Sequence, residues 1–154
     1  MTDDIQVANI PEKEENSASK SIYALFGTDS SMEQSGIWLE YGEFGRFLVA
    51  RAGGSNSRFT KSMERLSRPH RRQIQNETLD ESIANELLLK AFAESVILRW
   101  EGITDSDGKD LPFTRDNVIK LFKDLPDLFI DIREQAAKAA NFQAAEVEGD
   151  LKNS

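Results

Sequence analysis

At 154 residues, 39% hydrophobic and 30% charged, the chain has the length of one domain with modest tails and too little apolar content for every residue to join a core. It has no cysteine, which excludes a disulfide scaffold, thiol catalysis and any cysteine-ligated zinc or iron–sulfur site. No apolar run approaches the roughly 20 residues of a membrane span, and the acidic start MTDDIQVANIPEKEEN does not read as a signal peptide, so a soluble, cytoplasmic protein is expected.

The formal charge of −8 is unevenly placed. Between Phe44 and Gln75 lie eight basic residues and one acid, a net of +7, which leaves −15 on the rest of the chain. Arginine supplies all but Lys61, and a guanidinium pairs bidentately with carboxylates as readily as with phosphates. Pairing with the chain's own acidic surface, or with a second copy, is favoured over nucleic acid, because an acidic protein is repelled by a polyanion at long range.

Residues 1–35 read as a mostly disordered arm, since Pro11 to Ser19 offers no large apolar side chain to offset its ordering entropy. The patch Ile22-Tyr23-Ala24-Leu25-Phe26 interrupts it and fits a brief strand or a docking segment. Next come two β-like runs bracketed by glycines, Gly36 to Gly42 and Arg46 to Arg51, which predict a hairpin over 36–52 with Phe47 and Val49 on one face.

From about Asn56 the composition turns helical. Phe59, Met63 and Leu66 mark a first helix over 58–66, and Pro69 ends it. A wide stripe of Leu79, Ile83, Leu87, Leu88, Ala91, Phe92, Val96 and Leu98 predicts a long helix over 78–99. After a loop from Gly102 to Pro112, Thr114 is placed to cap a helix carrying Val118, Leu121, Phe122 and Leu125. Pro126 breaks that run, and Asp127 is expected to cap a last helix with Leu128, Phe129, Ile132 and Ala136. Residues 143–154 form an acidic tail. The expected class is mainly α: one small domain over 36–142, with about four helices, an N-terminal β-hairpin and disordered termini.

Catalytic and metal chemistry find little support. The lone histidine, His70, sits among arginines with no serine or carboxylate tied to it by a local motif. The run Asp105-Ser106-Asp107-Gly108-Lys109-Asp110 lacks the ligand spacing of a calcium loop and reads as a turn with Gly108 at positive φ. Gly42 to Gly45 and Gly53-Gly54-Ser55 lack the spacing and lysine of a phosphate loop. No enzyme, metal or cofactor is expected.

One segment is distinctive: Trp100, Gly102, Asp105, Asp107, Gly108, Pro112, Phe113, Thr114 and Asn117 stand in an order that resembles a motif of tail assembly chaperones from bacteriophages with long, non-contractile tails. There a helix ends in a tryptophan-glycine pair, an acidic turn follows, and a proline-aromatic-threonine element opens the next helix. Leu125-Pro126-Asp127-Leu128-Phe129 is similar to the leucine-proline-acidic stretch before that family's last helix. The likeness is good over 78–136, general over the hairpin and basic helix, and does not reach the first 35 residues or the tail.

In physical terms the motif is a staple: Trp100 and Phe113 pack across the loop, the glycines permit its turns, and Thr114 caps. The resemblance implies a non-enzymatic factor that coats and solubilises the helical tape measure protein and helps recruit tail tube subunits, in some relatives through a frameshifted long form. It also implies work in the host cytoplasm and absence from the finished virion.

A helical client needs an apolar groove, and Leu88, Phe92, Val96, Phe122 and Phe129 are the candidates for a client or inter-subunit surface, although ordinary core residues show the same pattern. Arg58, Lys61, Arg65, Arg68, Arg71 and Arg72 form a candidate basic contact surface, suited to the acidic face of a second copy in an open oligomer. Two alternatives stand beside this reading: a small nucleic-acid-binding regulator using that surface, and a structural tail component.

Overall fold

The computed structural model describes residues 21–144. The expected hairpin is present as β1 (Ile37–Glu40) and β2 (Arg46–Val49), antiparallel with Leu39 opposite Phe47 and Trp38 opposite Leu48. Alternation divides its faces. Phe47 and Val49 are buried on one, while Arg46 on the other lies over the Trp38 ring and pairs with Glu40 and Glu101.

A third strand, β3 (Ile97–Glu101), pairs antiparallel with β2 and makes β2 the central strand. The helix expected over 78–99 is therefore corrected at both ends: α5 runs Glu81–Ser95 and Asp80 caps it. The β-branched pair Val96-Ile97 fits a pleated ladder as well as a helical stripe, and the open edge of β2 decides between them. The short ribbon that would be marginal alone becomes a three-stranded sheet with a buried face.

The expected helices 58–66 and 115–125 appear as α3 (Ser57–Ser67) and α6 (Arg115–Asp124), followed by α7 (Pro126–Ala137). Asp127 is not a cap: Leu125 holds that position without a side-chain bond, and Pro126 opens the helix with the ring's fixed φ. Leu125, expected in the apolar stripe, is 49% exposed. A core centred on Phe47, Phe92, Val96, Trp100, Val118, Phe122, Phe129 and Ile132 joins the sheet to α5, α6 and α7. Its rings meet mostly edge-on, as for Phe47 and Trp100 at 5.8 Å and Phe92 and Phe129 at 5.3 Å.

The expected arm differs most from expectation. Residues 1–20 and 145–154 lie outside the described residues, but 21–35 fold into α1 (Ile22–Phe26) and α2 (Ser30–Ser35). The apolar patch 22–26 is thus a helix, not a strand. Asp29 caps α2, accepting from the backbone N–H groups of Ser31 and Met32 at 2.8 and 3.2 Å.

What anchors α2 is one buried carboxylate. Glu33, 2% exposed, accepts from the Arg51 guanidinium at 2.6 Å and from the backbone and hydroxyl of Ser55 at 3.0 and 2.7 Å. Gly54 is required beside it, because its φ is +53° and a Cβ there would meet the carboxylate. Burial pushes the Glu33 pKa up, but the Arg51 and Ser55 bonds outweigh it and bring the pKa from 4.5 down to about 2.

A carboxylate with a lowered native pKa stabilises the fold above its unfolded value and loses that contribution as pH falls. Glu33→Gln should therefore cost about 3 kcal/mol at pH 7. Urea midpoints of wild type and variant should converge between about pH 4.5 and pH 2. A gap that stays constant over that range would contradict the account.

Candidate functional site

The staple expected from the sequence is formed. The Trp100 and Phe113 rings meet edge-on at 5.1 Å, and Trp100 Nε1 donates to the Leu111 carbonyl at 2.9 Å. Between them the chain turns back on itself. Asp105 Oδ1 accepts from the N–H groups of Asp107 and Lys109, both at 2.9 Å, and Gly108 has φ +81°. Gly102 passes so close to Gly45 that a Cβ would lie 3.2 Å from its Cα, which ties the loop to the hairpin turn.

Thr114 caps α6 by accepting from Asn117 N–H at 3.0 Å, and Asn117 Nδ2 donates back to the Pro112 carbonyl at 2.9 Å. These hydrogen bonds close within the loop and at its junction with α6, so the motif positions α6. No group of three or more potential metal-ligating side chains is found among the described residues.

With α6 fixed, a groove of about 330 Å³ opens between the first half of α5, the end of α6 and the first half of α7. Its floor is apolar: Leu89, and the stacked rings of Phe122 and Phe129 with centroids 5.2 Å apart. Ile130, 42% exposed, and Pro126 form a wall. Polar groups rim it, with Lys123 Nζ 3.1 Å from Glu86 and the Arg133 guanidinium over the Phe129 ring at 5.0 Å.

The five side chains expected to meet a client divide accordingly. Phe122 and Phe129 reach the groove floor while remaining largely buried. Phe92 and Val96 are enclosed by the core and so are corrected to structural roles, while Leu88 packs against the core half-buried and outside the groove. Sequence reasoning missed Leu89, Pro126, Ile130 and Arg133. Ile130 carried a signal: it is a large apolar residue off the stripe of Phe129, Ile132 and Ala136.

The basic surface is also divided. Arg65 bonds to Glu94, which Arg115 reaches at 2.5 Å and Ser62 at 3.0 Å, so one carboxylate joins α3, α5 and α6. Burial raises the Glu94 pKa, and the bonds from Arg65 and Ser62, with the Arg115 charge, lower it by more. Arg58 donates to the Gln34 carbonyl at 2.8 Å. Lys61, Arg68, Arg71 and Arg72 make no ion pair among the described residues. The last three lie on an arm formed by a 3₁₀ turn (Arg68–His70) and α4 (Arg71–Gln75), neither of which has a buried residue. Internal pairing thus accounts for Arg46, Arg51 and Arg65, while the arginines of the arm have no acidic partner among the described residues.

The structure thus sets an apolar groove and a basic arm on one small domain. A family model described as YdaY prophage protein matches residues 54–153, about two thirds of the chain, and the chain belongs to that prophage family. The match spans the arm, the staple and all three helices of the groove, and leaves β1, β2 and the two N-terminal helices outside. No curated protein and no solved structure matches. The phage origin expected from the resemblance is thereby shown.

If the staple holds α6 by its ring contact and its indole bond separately, Trp100→Phe should cost about 1–2 kcal/mol and Trp100→Ala about 3–5 kcal/mol. Thermal unfolding of the two variants checks this ranking; equal losses would make the ring contact irrelevant.

Proposed function

We propose that the protein is a non-enzymatic tail assembly chaperone that holds an amphipathic helix of the tape measure protein in the groove between α5, α6 and α7. The observation that carries this is the pairing of an apolar floor, Leu89, Phe122 and Phe129, with a rim of Glu86, Lys123 and Arg133. A helical client laid in such a groove buries its stripe and keeps its charged flanks in water. Prophage membership and the staple motif support the same reading. In it the chain works in the host cytoplasm as an oligomer on the client, helps bring in tail tube subunits, and is absent from the finished particle.

The basic arm favours a second reading, nucleic-acid binding, because Arg68, Arg71 and Arg72 have no carboxylate partner among the described residues. Two results separate the readings. Co-expression with the tape measure protein should yield a soluble complex carrying many copies of this chain. Ile130→Glu should reduce its recovery at least about tenfold, the cost of placing a charge where roughly 1.5–3 kcal/mol of apolar burial was available. An insoluble tape measure protein, combined with DNA or RNA affinity that falls steeply with salt, would overturn the chaperone reading in favour of the other.

A further inference from the structure

Asn141 to Gln143 fix where the C-terminal segment leaves the fold. Phe142 is fully buried, and Asn141 Nδ2 donates to the Gln135 carbonyl at 2.9 Å. The Gln143 side-chain amide donates to the carbonyls of Ala24, Leu25 and Gly27 at 2.9, 3.1 and 3.2 Å. Residues 145–154, outside the described residues, thus start near the C-terminal end of α7, the helix whose first half walls the groove. Gln135 stands about 14 Å along that helix from Pro126. The chain from Asn141 to Leu151 reaches up to about 33 Å when extended. The whole groove is within range.

The segment Glu146-Val147-Glu148-Gly149-Asp150-Leu151 sets two large apolar residues among acids. Val147 and Leu151 fall on one side both in an extended chain of period two and in a helical turn, where they stand at i and i+4. The groove has the complementary form, with an apolar floor of about 330 Å³ that suits a few such side chains. On its rim Arg133 lies over the Phe129 ring and makes no ion pair among the described residues. The rim's acid, Glu86, is already held by Lys90 and Lys123.

The family match favours this segment over the other terminus. It runs to residue 153, so it takes in the C-terminal segment together with α5, α6 and α7 and leaves residues 1–20 out. Residues 1–20 also carry an apolar group, Ile5, Val7 and Ile10, but no charge stands between Ile5 and Pro11 to meet Arg133.

We infer that residues 145–154 dock in the chain's own α5–α7 groove, with Val147 and Leu151 on Leu89, Phe122 and Phe129 and with Glu148 or Asp150 on Arg133. A tethered segment acts at an effective concentration on the order of 1 mM, so a contact this small is occupied within one molecule although it would not hold two together. On the chaperone reading above, on which this consequence rests, a client helix must displace the segment, which is a built-in brake on the groove. With the segment docked in about 90% of molecules, the client binds about tenfold more weakly.

Amide NMR of the full chain without client tests the contact, and the absence of cysteine allows a single label. A nitroxide on Lys152→Cys should broaden the signals of Leu89, Ile130 and Arg133, and reducing the nitroxide should restore them. Adding Val147→Asp and Leu151→Asp should abolish the broadening. Ile130→Asp should abolish it at Leu89, and Ile130 is exposed enough for that variant to keep the wild-type thermal midpoint. Mixing nitroxide-bearing chains with unlabelled, isotopically enriched ones should leave the enriched signals sharp.

Groove signals that ignore the label at position 152 would overturn the inference, as would broadening that survives the aspartate substitutions. Broadening in the mixture would move the contact to a second copy. Broadening from a label on Asn9→Cys, and not from position 152, would give the groove to residues 1–20. An insoluble tape measure protein in co-expression would sink the chaperone reading and leave the label result unchanged, so the two failures are distinguishable.

Discussion

The pairing of β3 with β2 is the constraint on which the rest of the structure depends. It sets Trp100 opposite Phe47, and from that position the indole reaches across the loop to Leu111 and Phe113. The loop delivers Thr114 to its cap, the cap fixes the start of α6, and α6 lays Phe122 against Phe47 on one side and Phe129 on the other. The groove is the gap left where α5, α6 and α7 diverge from that shared ring cluster. A sheet of short strands thus positions a helical surface by way of one central side chain.

Charge provides the second layer of organisation. Two carboxylates, Glu33 and Glu94, each take several donors from segments distant in sequence: Arg51 and Ser55 for the first, Ser62, Arg65 and Arg115 for the second. Glu33 is the more buried of the two, so its loss is the more costly, while Arg65 and Arg115 around Glu94 stay half exposed to water. The two carboxylates also explain why Arg51 and Arg65 in the positive middle of the chain act as internal cement, while Lys61 and the arginines of the arm make no ion pair among the described residues.

The four long helices were legible from three- and four-residue apolar spacing, and the hairpin from its glycine-bracketed β-branched and aromatic runs. Thr114 was legible because an N-cap is a local rule. What escaped depended on contacts distant in sequence. The local signal in Ile97 to Glu101 suits a helix as well as a strand; the unpaired edge of β2 makes it a strand. Nothing local around Glu33 announces burial, since its partners Arg51 and Ser55 lie in another element. The groove suffered from a different ambiguity. Core and surface stripes look alike, so spacing alone groups Phe92 and Val96 with Phe122 and Phe129, and only packing separates the enclosed pair from the pair that reaches the groove.

Membership of a prophage family, a helix-positioning staple and an apolar groove with a charged rim are the observations behind the proposal that the chain shields a client helix. The claim is most directly tested by photocrosslinking from single positions in cells producing the chain with the tape measure protein. A crosslinker at position 130 or 85 should capture the tape measure protein, and one at position 72 on the basic arm should not. Capture from position 72 alone, with none from the groove, would contradict the account.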